Sequence, residues 1–244
     1  MPDGAGARAF SAFGGTAHAS EPIAAPLLLW LSPAFPVGGF AFSHGLEWAA
    51  ERGWINNRET LLAWLVDLVE LGSIGNDMIL LAAAWRAIAN NDASALREAG
   101  EFAVALQPSA ERHLEAVTQG GAFIVQIEAA WPCEAIARLK AACPGDVAYC
   151  TAVGVAAAGH GIALGATLQA YGLAVAGNLV SAAIRLGVVG QTDGQRVLAA
   201  LAHTIAAAAT RTQSATLDDL GGACLRADLA SLQHETQYTR LFRS

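Results

Sequence analysis

Residues 147–184 contain no Asp, Glu, Lys or Arg, and this one run leaves few folds open to the chain. It is long enough to cross a bilayer, or to supply two helices buried against one another in a globular core. Alanine and glycine crowd it, and Gly154, Gly159, His160, Gly161, Gln169 and Asn178 interrupt it. Small residues gain little transfer energy but let helices approach closely, so a buried helix pair is favoured over a membrane span. Across the chain 54% of residues are hydrophobic and only 14% charged, so either other chains cover much of its surface or part of it sits in a membrane.

The remaining sequence reads as helices. Asn57 can cap a helix in which Leu61, Leu62, Leu65, Leu68, Val69 and Leu71 recur at three and four, and Gly72 ends it. Asn76 or Asp77 starts the next, which Asn90, Asn91 and Asp92 stop. Ser94 opens a helix to Leu106, and Ser109 caps a long one to Trp131 with Leu114, Val117, Phe123, Ile124 and Ile127 on one side. A short helix follows over 135–141, then 147–158, 162–186, 193–211 and 217–233. No stretch alternates or concentrates β-branched residues as strands require. The expected fold is all-α, a single-domain helical bundle of about eight to ten helices over 23–233. A disordered Gly/Ala-rich arm is expected over 1–22, and a separate tail over 234–244.

Several chemistries are excluded or weakened. The net charge is −7 with one lysine, Lys140, which argues against a nucleic-acid partner, and no glycine precedes that lysine as a P-loop requires. Gly159, Gly161 and Gly165 miss the dinucleotide spacing by one residue and follow no strand. Ser43, in Ala41-Phe42-Ser43-His44-Gly45, approximates a hydrolase elbow, although helix-capping is the commoner use of such a serine. The six histidines and four cysteines show no metal-ligand spacing on any helix, and with no Cys-x-x-Cys pair and no signal sequence a cytoplasmic location is expected. Glu111, Glu115 and Asp92 read as helix starts and solvated faces.

Two segments stand outside this pattern. In residues 31–47, Pro33 and Pro36 fix φ while Gly38 and Gly39 admit angles closed to other residues, giving a shaped turn that carries Phe35, Val37, Phe40 and Phe42. Such apolar side chains either anchor the turn or meet a partner. From Ser43 the pattern turns helical, with Leu46 inward and Glu47 and Glu51 outward. The tail concentrates Tyr238, Arg240, Leu241, Phe242 and Arg243, side chains suited to docking, where the plainer reading is a tail folded back on its own bundle.

Pro36-Val37-Gly38-Gly39-Phe40 running into His44-Gly45-Leu46-Glu47, the segments 178–187 and 191–195, and the ending 234–244 together resemble the UreF family of urease accessory proteins, over roughly residues 26–244. The resemblance implies an all-helical, non-enzymatic homodimer that bridges a UreD/UreH-type accessory protein and a UreG-type GTPase and docks on apo-urease. Its cargo would be nickel in transit, with no cofactor stably bound and no membrane partner. It implies recruitment of the GTPase through Arg240 and Phe40, the latter lacking the hydroxyl of the tyrosine some members carry. With the two motifs, partner contacts are expected at Phe40, His44, Glu47, His234, Tyr238, Arg240, Leu241 and Phe242. A serine hydrolase using Ser43, or a membrane-associated helical protein, are the alternatives.

Overall fold

The computed structural model describes residues 25–244; the arm expected over 1–22 lies outside the described residues. Two short helices, α1 (Ala25–Trp30) and α2 (Leu46–Glu51), flank the proline-glycine turn. Asn57 then opens α3 (Arg58–Glu70): its side chain accepts from Thr60 N at 2.9 Å while Thr60 Oγ1 accepts from Asn57 N at 3.2 Å. This reciprocal box satisfies two donors that a helix start otherwise strands. Gly72 ends α3 as its sequence suggests, but α4 (Ser73–Ala89) begins at once rather than at Asn76 or Asp77. Gly72 takes an extended conformation between the two, so one residue serves both ends.

Asp92 caps α5 (Ala93–Ala105) through Ala95 N, one residue before the expected start. Ser109 caps α6 (Ala110–Ala130) through Arg112 N, as expected. There follow α7 (Glu134–Ala142), α8 (Tyr149–Gly159), α9 (Leu164–Arg185), α10 (Gln191–Thr212) and α11 (Leu225–His234). Residues 217–233 do not form one helix. A 3₁₀ turn at Leu217–Asp219 is followed by Gly221 and Gly222, where Gly221 N donates to Asn76 Oδ1 and Ala223 N to Leu71 O. Those bonds to the α3–α4 corner replace the helical ones that two glycines disfavour. No strand occurs among the described residues, and the fold is the all-α bundle expected.

The uncharged run resolves into a core helix and a half-covered one. In α8 every residue from Cys150 to Ala157 is buried, between α4, α6 and α7. Glycine makes this possible: a Cβ at Gly154 would lie 2.5 Å from Leu81 O, and one at Gly120 would lie 2.0 Å from Val147 O. By contrast α9, alone among the described helices in being long and apolar enough to cross a membrane, is half buried inside the bundle. At one end of the core Trp30 sits edge-on to Phe123 and Trp131, both at 6.0 Å. His160 ends α8 there, its Nε2 3.0 Å from Trp131 O.

Candidate functional site

The proline-glycine turn is anchored on one side and open on the other. Phe35 packs on Phe123 at 5.5 Å and on Trp131 at 5.9 Å, and Phe42 is buried. Phe40 points away and is 70% exposed. Of the glycine pair only Gly38 uses the left-handed region, at φ 76°. Asn178 on α9 donates to Gly39 O at 2.8 Å, and Arg185 at the end of α9 donates to Phe40 O at 2.6 Å, so α9 holds the turn by its carbonyls. Residues 43–45 form a second turn rather than the helix start expected there; His44 at φ 56° and Gly45 at φ 74° are both left-handed. Gly45 has no alternative, since a Cβ there would meet Ser231 N of α11 at 2.5 Å.

The tail folds back along this turn. Arg243 N donates to Ala41 O at 2.8 Å, and Ser43 N to Ser244 O at 2.7 Å, with the Ser43 hydroxyl donating to the same oxygen. The Phe242 ring is buried beneath the Arg185 guanidinium, 4.2 Å from its centroid. At the tail's root Glu235 accepts from Ala110 N at 2.8 Å, and Ser231 Oγ meets Ser109 Oγ at 2.6 Å. One edge stays outward: Tyr238 is fully exposed, Leu241 is 62% exposed, and Arg240 extends past Glu111, which it pairs at 2.6 Å.

Between turn and tail lies a buried polar cluster. Glu115 on α6 accepts from His44 Nε2 at 2.9 Å, Gln119 Nε2 at 2.8 Å and Ser244 Oγ at 3.1 Å, and pairs with Arg112. Burial pushes the Glu115 carboxyl up, but Arg112, His44 and their hydrogen bonds outweigh it and hold it at about 2. Burial, with Arg112 beside it, pushes the His44 ring below its ordinary value against the opposing pull of Glu115. A neutral ring donating from Nε2 satisfies Glu115, and its Nδ1 has no partner. Asp77 faces a cavity of about 580 Å³ beneath the turn and accepts from Tyr171 OH at 2.9 Å. Desolvation by the surrounding protein pushes its carboxyl up.

The eight residues expected to meet partners therefore divide. Phe40, Tyr238, Arg240 and Leu241 face outward, whereas His44, Glu47, His234 and Phe242 are buried and hold the others in place. Glu47, expected outside its helix, turns inward because the tail's backbone amides occupy that side. Glu115, expected on a solvated face, is likewise buried. Arg112, Glu115 and Gln119 carry this cluster and were missed; their spacing with Phe123 and Ile127 puts them on the apolar stripe of α6, a signal that Leu114 and Val117 obscured. Ser43 has neither an elbow strand nor a base: its hydroxyl is taken by Ser244 O, and the His44 ring by Glu115. No group of three or more His, Cys, Asp or Glu is placed to hold a metal ion among the described residues.

Comparison with known proteins places the chain in a family. The UreF family model matches residues 55–202. A urease accessory protein UreF from Rhodopseudomonas palustris is 54% identical over 218 residues, covering 89% of this chain and 90% of its own length. One from Xanthobacter autotrophicus is 51% identical over 239 residues and covers 98% of both chains. Another, from Bradyrhizobium diazoefficiens, is 53% identical over 218 residues. Relatives of this identity, covering 89% and 98% of the chain, together with the family match over its middle, mean that the chain belongs to the UreF family of urease accessory proteins.

Proposed function

We propose that this accessory protein acts in the cytoplasm as a homodimeric bridge between a UreD/UreH-type accessory protein and the UreG-type GTPase. It delivers nickel into apo-urease and modulates GTP hydrolysis by its partner. The chain transforms nothing itself; nickel passes as cargo, without a site that holds it stably here. The observation that carries this reading is the exposure of Phe40 on the turn and of Tyr238, Arg240 and Leu241 on the tail, while main-chain hydrogen bonds tie the tail to the turn. Aromatic and arginine side chains displayed on an ordered backbone supply contact area and forked donors at little entropic cost, as a docking surface needs. For the homodimer, support comes from α9, whose partly covered positions Ala166, Ala170, Leu173, Ala174 and Gly177 form an uncharged face.

Co-expression with the two partners followed by size-exclusion chromatography tests the bridge. The wild-type chain should co-elute with both, and Arg240→Ala should keep the fold and the UreD/UreH-type partner while losing the GTPase. Undiminished GTPase binding by Arg240→Ala would discard that role.

A further inference from the structure

The Glu47 carboxylate grips the tail by its main chain. Oε1 accepts from Leu241 N at 2.6 Å and Oε2 from Phe242 N at 2.9 Å, so two consecutive amides are fixed by one side chain of α2, the helix next to the turn that carries Phe40. Oε2 also lies 3.1 Å from His234 Nε2. The opposite nitrogen of that ring, Nδ1, is 2.6 Å from Glu111 Oε2, and the other oxygen of Glu111 takes Arg240 Nη1 at 2.6 Å. A continuous relay thus runs from the tail's amides through Glu47, His234 and Glu111 to Arg240, with His234 wholly buried in its middle.

We propose that Glu47 is the positioning residue of the docking surface: it sets the register of the tail against the turn and, through His234 and Glu111, the direction of Arg240. This rests on the bridging reading above. A tail without regular structure loses conformational entropy at every ordered residue, so its outward edge persists only where anchors hold the backbone. Arg243 N on Ala41 O and Ser43 N on Ser244 O are anchors too, but neither belongs to the relay that reaches Arg240. Only an ionised carboxylate offers acceptors to two adjacent amides and a ring nitrogen together; a glutamine must turn an N–H donor toward one of them.

Amide hydrogen exchange on the full chain, run beside capture of the UreG-type GTPase with its UreD/UreH-type partner, tests the assignment. In Glu47→Gln the amides of Leu241 and Phe242 should exchange about tenfold to a hundredfold faster, while α4 and α8 keep their rates. Capture of the GTPase should fall about tenfold, the loss expected for a charge-assisted contact. Arg240→Ala should lose capture with both amides still protected, which separates contact from positioning. Should Glu47→Gln loosen α4 and α8 as well, Glu111→Gln decides, because it breaks the relay beyond the amides: capture should fall with protection intact, and undiminished capture overturns the relay. Unchanged protection in Glu47→Gln overturns the pin, and lost protection with full capture overturns its role in presenting the surface. A wild-type chain that captures neither partner sinks the bridging reading instead, and the exchange rates still decide the pin.

Discussion

Glu115 is a buried carboxylate held ionised by its neighbours, and the sign of its pH dependence follows. Its carboxyl falls from the ordinary 4.5 to about 2 in the folded chain, so the stability it contributes is complete above 4.5 and is lost as pH falls toward 2. Glu115→Gln strands Arg112 and should cost about 3–5 kcal/mol at pH 7. Urea unfolding should show that gap closing between pH 4.5 and 2; a constant gap would remove Glu115 from its role. His44 adds an earlier loss: with its ring lowered from 6.5, the unfolded chain binds the proton more readily, so stability declines as pH drops below 6.5. Asp77 runs the other way. Its carboxyl is raised from 3.8, so stability falls as pH rises through the interval above 3.8. Asp77→Asn keeps an acceptor for Tyr171 and should therefore stabilise the chain by about 1 kcal/mol at pH 7, with no gain at pH 3.8. None of these three roles was legible in the sequence, because each depends on groups far along the chain: Glu115 on His44 and Ser244, Asp77 on Tyr171.

Helices were legible where a local signal decides their ends. Asn57 and Ser109 cap as side chains of their type do anywhere, and the three-four spacing of α3 needs no knowledge of the rest of the fold. Residues 217–233 misled because their apolar spacing continues across Gly221 and Gly222, and only the bonds to Leu71 and Asn76 show what the glycines serve. The charge-free run was legible as buried but not as two unlike helices. Its difference is measurable at single glycines. Gly120→Ala drives a methyl into Val147 O and should cost about 3 kcal/mol by separating α6 from α8. Within one protomer Gly177→Ala on α9 meets nothing within 4 Å, so at concentrations that keep the chain monomeric it should stabilise the fold by about 0.5–1 kcal/mol, since alanine loses less entropy in a helix. Thermal melts of the two variants should move in opposite directions; a loss at Gly177 would place a neighbour against that face of α9.

At the scale of the molecule, apolar surface left uncovered points outward near the tail. Leu225, Leu229 and Leu232 lie on the exposed side of α11, spaced to share one helical face, while Ala227, Ala230 and His234 on its other side pack inward. The same helix leads into Tyr238 and Leu241, so the exposed leucines and the outward edge of the tail are successive parts of one stretch of chain. The proposed bridge between two partners would need contact areas that its own core does not consume, and such residues can be changed without opening a cavity. Paired Leu225→Glu and Leu229→Glu substitutions should leave the melting temperature within about 2 °C of wild type, because neither side chain is packed. On the bridging proposed above, they should also weaken co-elution of the UreD/UreH-type partner if it covers this face, since burying two carboxylates in an apolar contact is prohibitive. A melting temperature that drops sharply would mean that these leucines are packed within the protomer. Full co-elution at an unchanged melting temperature would leave the turn and the tail to carry the whole of the docking.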